Sequence, residues 1–240
     1  MRGSVNSIET FGLVDGPGIR NVIFLNGCKL RCKFCHNPEM WNKLELNYEP
    51  KDIFNKVIRF KTYFGKKGGV TFSGGEPLLQ PDFVIETCKL LKEASINIAI
   101  DTAGIGTSKN SEVLDLVDIV LLDIKHVDKE GYIKVTGMDM LDEFEKFVDL
   151  LNSKNKIVWI RQVIIPGVND NMEYLVKLKK YLKKIKNIER IDFLPYHTMG
   201  KEKYDKLGID YPLLGLSEMD KEKCNELYNE FMKLDEENDK

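Results

Sequence analysis

The stretch that decides the fold is DIVLLDIK, residues 118–125. After Asp118 it is wholly apolar from Ile119 to Leu122, and charge returns only at Asp123 and Lys125. A strand that alternated apolar and polar residues would have one wet face. One that is apolar on both faces belongs to a sheet covered by helices. Alternation puts Leu121, Asp123 and Lys125 on one face, so the polar groups arrive together at the C-terminal end.

Five other runs share this form: NVIFLNG (21–27), GGVTFSGGE (68–76), NIAIDTAG (97–104), KIVWIRQVIIPG (156–167) and RIDFLPYHT (190–198). Helical patterns follow each strand: PKDIFNKVIRFKTYF, PDFVIETCKLLKEA, SEVLDLV, MLDEFEKFVDLLNS, NMEYLVKLKKYLKKI and a closing SEMDKEKCNELYNEFMKL. Six strands with a helix after each indicate parallel βα units rather than hairpins. The expected fold is α/β, a partial (β/α)6 TIM-like barrel of parallel strands covered by outer helices. It forms a single domain over residues 1–240, with DEENDK as a frayed tail. Four strands end in residues capable of chemistry: Ser73 with Gly74, Gly75 and Glu76; Asp101 with Thr102; Asp123 with Lys125; and His197. In parallel α/β folds such endings converge on one rim.

Composition narrows the function. The 240 residues are 42% hydrophobic and 31% charged, with a formal net charge of -2, so no basic stripe argues for nucleic acid. KYLKKIKN is the solvated face of an amphipathic helix, since Leu178, Leu182 and Ile185 recur through it at helical spacing. No signal-peptide pattern and no apolar run of bilayer length is present, so no membrane partner is expected. Five cysteines, three of them crowded together, do not suit a secreted disulfide framework, and a reducing cytoplasm is the expected compartment.

The crowded three are Cys28, Cys32 and Cys35, in GCKLRCKFCHNPEMW (27–41). Thiolates select zinc, copper(I) or iron–sulfur centres. Structural zinc is normally closed by four ligands, and His36 directly after Cys35 is poorly placed to join the same tetrahedron. Cys88 lies on a helical face with Val84 and Leu91, and Cys224 with Leu227, Tyr228 and Phe231; both are expected as buried structural thiols. A [4Fe–4S] cluster held by three cysteines leaves one iron open to a substrate or cofactor.

C-x3-C-x2-C directly after a first strand resembles the signature of the radical S-adenosylmethionine superfamily. TFGLVDGPGIRNVIFLNGCKLRCKFCHNPEMW resembles the N-terminal signature of its glycyl-radical-enzyme activating family. TFSGGEPLLQ, DTAG, LLDIKH, TGM, IRQVIIPGVND and FLPYHTMGKEKYDKLG follow in the family's order, so the resemblance runs from about residue 8 to residue 211. It implies that Cys28, Cys32 and Cys35 ligate a [4Fe–4S] cluster whose open iron is chelated by S-adenosylmethionine. One electron would then break a sulfonium C–S bond, giving methionine and a 5′-deoxyadenosyl radical that takes a Cα hydrogen from a glycine of a partner enzyme.

Several residues acquire roles by this resemblance. Phe34, His36 and His197 would lie beside the cofactor's adenosyl and cluster ends. Gly74, Gly75 and Glu76 would meet its ammonium, and Asp123, Ile124 and Lys125 its carboxylate and ribose. Asp101, Thr102, Asp123 and the carbonyl of Leu121 match a monovalent-cation site for Na⁺ or K⁺; in the competing reading Asp101 pairs with Lys125. Asp15, Gly16 and Arg20, in DGPGIR, would stand at the mouth where the partner's glycine loop enters, although the sequence is also an ordinary turn. Arg161 either holds the substrate backbone or is a paired core arginine.

Trp41 to Ile53 contains no cysteine, which favours pyruvate formate-lyase as the partner over the dehydratases and decarboxylases, whose activators carry an extra cysteine-rich segment. The resemblance further implies flavodoxin or ferredoxin as electron donor, and a monomer is expected. The alternatives are an activator of another glycyl radical enzyme, a small-molecule enzyme like 7-carboxy-7-deazaguanine synthase, and a redox or zinc-binding module.

Overall fold

The computed structural model describes residues 1–42 and 45–234. The expected frayed tail, 235–240, lies outside them, as do Lys43 and Leu44 in the cysteine-free stretch. All six expected strands form: β2 (Arg20–Leu25), β3 (Gly69–Gly74), β4 (Asn97–Thr102), β5 (Ile119–Asp123), β6 (Ile157–Ile164) and β7 (Ile188–Pro195). They pair in parallel and in sequence order. A further strand, β1 (Val5–Gly12), pairs antiparallel with β2 at the sheet edge. Periodicity missed it because one residue of its eight, Val5, is buried, so no apolar face is written into VNSIETFG.

The outer layer contains α1 (Pro50–Val57), α2 (Pro81–Glu93), α3 (Asn110–Leu116), α4 (Lys129–Thr136), α5 (Leu141–Lys154), α6 (Met172–Leu182), α7 (Lys201–Leu207) and α8 (Lys221–Lys233). Helix starts follow ordinary capping chemistry: Pro81 opens α2, and the side chains of Asp128, Asn171 and Asp220 accept from the third backbone N–H of α4, α6 and α8. The expected helix through residues 50–64 tightens after Val57 into a 3-10 turn. Helices α4 and α7 were not expected. The first contains Gly131, whose missing Cβ makes room for the His126 ring, and the second buries one residue, Tyr204.

Alternation along the strands sorts two environments. Val70, Phe72, Ile98, Ile100, Val120, Leu122, Val158 and Ile160 point outward into the core beneath the helices, together with Cys88 and Cys224. Full burial of each large apolar side chain contributes about 2 kcal/mol. On the inner face, Ala99, Ile119, Leu121 and Trp159 pack into a small separate apolar group. Above that floor, Ser73, Asp101, Asp123 and Arg161 line the barrel cavity.

Candidate active site

The β2 and β3 ends shape the cysteine loop through backbone contacts. Gly75 N–H donates to Leu25 O, and Glu76 N–H to Gly27 O, each at 2.7 Å. Gly74 has φ +105°, and a Cβ there would lie 2.5 Å from Leu25 N; a Cβ on Gly75 would lie 2.3 Å from Gly27 O. Only glycines permit this approach. The loop's other side is laced to α4 by Arg31 N–H to Thr136 O and Lys33 N–H to Val135 O, both 2.9 Å.

One cavity of about 680 Å³ gathers Cys28, Cys32, Phe34, Cys35, His36, Gly74, Gly75, Asp101, Thr102, Asp123, Lys125 and His197. The four polar strand ends therefore share a rim with the cysteines. The His36 and His197 rings meet edge to face at 5.0 Å, and Lys125 Nζ lies 5.4 Å from the centre of the Phe34 ring. Burial pushes the Cys28 thiol up to about 11 and the Cys32 thiol to about 12, and it raises Cys35 as well. These are soft donors that a metal must deprotonate. Among the described residues, no three His, Cys, Asp or Glu side chains are grouped as ligands of a single ion. Three thiols on one cavity wall, beside two glycines that admit close approach, fit a larger thiolate-bound cluster.

The charged layer is a linked set. Lys125 Nζ meets Asp123 Oδ2 at 2.8 Å, Arg161 Nη1 meets Asp101 Oδ2 at 2.9 Å, and Ser73 Oγ donates to Asp101 Oδ2 at 2.7 Å. Asp123 and Arg161 are direct register partners, with Arg161 Nε 3.8 Å from Asp123 Oδ1. Burial works against both carboxylates. At Asp101 it outweighs Arg161 and raises the pKa; at Asp123 Lys125 and Arg161 outweigh it and hold the pKa low. Asp101 therefore pairs with Arg161, not with Lys125 as the competing reading held, and Arg161 is a paired arginine facing the cavity.

Glu76, Arg20 and Gly16 take positions different from those expected. Glu76 is buried and does not line the cavity: Oε1 accepts from Leu78 N–H and the Thr102 hydroxyl, and Oε2 from Ala103 N–H. Its carboxylate ties the β3 end to the β4 end, and burial raises its pKa to about 7. The Thr102 hydroxyl is thereby committed. Ile124 turns its side chain into the helix-facing core and Leu121 its side chain into the apolar floor, so each can meet a ligand only through its backbone, the group expected of Leu121. Arg20 is 0% exposed; it donates to Thr71 Oγ1, to the carbonyls of Pro17, Lys67, Val70 and Asn97, and to Asn97 Oδ1. A guanidinium so enclosed cannot face a partner. Buried Gly16 packs against it, with the site of a Cβ 3.0 Å from Arg20 Cδ, while Asp15 reaches the cavity.

Sequence reasoning missed Lys203, which reaches back from α7 to Asn37 Oδ1 (2.6 Å) and Glu39 Oε1 (2.7 Å) beside the cysteine loop. Its only sequence signal was its place in the KEKYDKLG segment.

The model of the radical SAM superfamily matches residues 22–182. A curated pyruvate formate-lyase-activating enzyme from Clostridium pasteurianum is 51% identical over 231 residues, covering 94% of this chain and 95% of that one. The chain belongs to the radical SAM superfamily, in the family of pyruvate formate-lyase-activating enzymes. The namesake from Streptococcus mutans is 42% identical, over 89% of this chain and 85% of its own. Among solved structures, a domain of a pyruvate-formate lyase-activating enzyme from Bacteroides vulgatus superposes with a TM-score of 0.50 at 25% identity, covering 68% of this chain and 94% of that one. A radical SAM methyltransferase from Sphaerobacter thermophilus gives 0.64 at 15% identity, covering 89% and 63% respectively, and shows the shared fold alone.

Proposed function

We propose that this chain activates pyruvate formate-lyase by converting one of its glycines to a radical. The observation that carries the reading is the convergence of Cys28, Cys32 and Cys35 with the polar strand ends on one cavity, in a chain 51% identical to an activating enzyme of that name. The three thiolates would hold a [4Fe–4S] cluster, which, with S-adenosylmethionine on its open iron, supplies reductive cleavage to methionine and a 5′-deoxyadenosyl radical.

The chain's own residues bind and orient. Backbone acceptors at Gly74 and Gly75 suit the cofactor's ammonium. Lys125, kept charged by Asp123, suits its carboxylate. Phe34, His36 and His197 wall the adenosyl side. Asp101 Oδ1 is buried without a hydrogen-bond partner; together with Asp123 and strand carbonyls it is the place for a Na⁺ or K⁺ ion. Asp15 and Arg161 on the cavity wall are the residues left to meet the incoming glycine loop. A one-electron carrier, flavodoxin or ferredoxin, would deliver the electron. The chain would work as one domain and a monomer, in the cytoplasm. Among the described residues no helix is long and apolar enough to cross a membrane.

The test is Cys32→Ala. After anaerobic reconstitution with iron and sulfide, the variant should lose both the cluster and reductive release of 5′-deoxyadenosine. Retained cluster-dependent cleavage would overturn the ligand assignment.

A further inference from the structure

Lys203 crosses 164 residues of sequence to reach Glu39, and its place there closes a ring of contacts around one corner of the cavity. Its Nζ donates to Asn37 Oδ1 at 2.6 Å and to Glu39 Oε1 at 2.7 Å. Lys203, Asn37, Glu39, His36 and His197 all line the same cavity. Asn37 directly follows His36, and Glu39 lies on the short turn Pro38–Met40. Lys203 sits on α7, in the segment that runs on from His197. Between them Gly200 rests on the loop backbone: a Cβ there would lie 2.9 Å from Cys35 O and 3.0 Å from His36 Cα. The ring closes where the His36 and His197 imidazoles meet edge to face at 5.0 Å.

The two histidines are unequally anchored. Around His197, Tyr196 N–H donates to Ile164 O at 3.0 Å, Met219 N–H to Tyr196 O at 2.9 Å and Thr198 N–H to Glu218 Oε1 at 2.7 Å. His36 is exposed, and the nearest backbone bonds on either side stay within its own loop: Cys35 N–H to Cys32 O and Met40 N–H to Asn37 O, both 3.0 Å. A charge-assisted pair is the stronger kind of tether, and Lys203 makes one from α7 to the turn after His36. Two of the three ammonium N–H bonds are spent on it. The Lys203 side chain is 34% exposed, so its loss opens no void in the core.

We propose that Lys203 is a positioning residue for S-adenosylmethionine: by tying α7 to Asn37 and Glu39 it fixes the His36–His197 pair that walls the adenosyl end. It acts through the two imidazoles and makes no contact of its own with the cofactor. The proposal rests on the reading above that these histidines face the adenosyl group.

The experiment uses the full chain, reconstituted anaerobically with iron and sulfide, and the variants Lys203→Met, Glu39→Ala and the double variant. Two probes share an amino-acid end: S-adenosylhomocysteine, which has the adenosyl group, and methionine, which lacks it. Equilibrium dialysis gives both affinities, and their ratio isolates the adenosyl end. Lys203→Met should lower that ratio about tenfold while cluster content and methionine affinity hold. Glu39→Ala should lower it comparably, and the double variant no further, because both remove one link. In the cluster-free chain, Lys203→Met should quicken hydrogen exchange at Met40, whose N–H donates within the latched turn. An unchanged ratio or unchanged exchange overturns the proposal. So does an equal loss for both probes, or a loss of cluster, which would make Lys203 a general support of the cysteine loop. Additive losses in the double variant would overturn it too, since Lys203 and Glu39 would then act separately. A wild type that binds both probes equally sinks the adenosyl reading itself; a wild type that prefers S-adenosylhomocysteine, with variants that match it, sinks only the latch.

Discussion

At the scale of single residues, Glu76 shows how position in a motif can mislead. GGE reads as a ligand segment, yet the carboxylate is spent on Leu78, Thr102 and Ala103. Glu76→Ala would leave three buried donors unmet and should cost about 3 kcal/mol of stability, read from denaturant unfolding of the cluster-free chain. The pH dependence has a definite sign. The carboxyl titrates near 4.5 when free and near 7 when folded, so its proton-linked contribution is full below pH 4.5 and is lost as pH rises through 7. Relative to Glu76→Gln, which cannot ionise, the wild type should lose about 2 kcal/mol between pH 5 and 8. A difference that stays flat would show that the carboxyl ionises freely in the fold. None of this was legible in the sequence, because Thr102 and Ala103 lie 26 and 27 residues away. The pairing of Arg161 with Asp101 was hidden for the same reason. The cysteines were legible because their spacing is local.

At the scale of elements, the βα units could be read directly. DIVLLDIK and most of its counterparts carry apolar residues on both faces, RIDFLPYHT with Arg190 and Asp192 being the exception, and that pattern survives without tertiary information. The strand β1 and the helices α4 and α7 could not be read, since each makes little use of an apolar face; their stability comes from what they dock against. Docking gives α4 its importance, because its last turn holds the cysteine loop. Asp128→Ala removes its N-cap and should cost about 1 kcal/mol; the measurable consequence is faster hydrogen exchange at Arg31 and Lys33, which donate to α4. Unchanged exchange there would detach the loop from the helix. The DGPGIR loop is likewise an element with a structural duty. Arg20→Ala strips five carbonyl and side-chain acceptor residues of their donor (Pro17, Lys67, Val70, Thr71, Asn97), and it should destabilise the cluster-free chain by about 3 kcal/mol. Full stability with weakened partner binding would restore Arg20 to the mouth.

For the whole molecule, the barrel separates two jobs. Outward residues bury the helices, while inward residues form an apolar floor, a charged layer above it, and a thiol-lined upper wall. This layering makes one large cavity compatible with a stable sheet, and it places a reactive cofactor where protein groups can surround it. The rim itself was legible from four polar strand ends; the assignment of each side chain to floor, layer or wall needed the register. The most direct measurement of the central claim is an EPR spectrum of the reconstituted, reduced chain mixed anaerobically with S-adenosylmethionine and pyruvate formate-lyase. A glycyl-radical doublet on the partner, with 5′-deoxyadenosine and methionine released alongside, is the predicted result. Release of both products without the doublet would contradict the assigned partner, and neither products nor doublet would contradict the proposed activity.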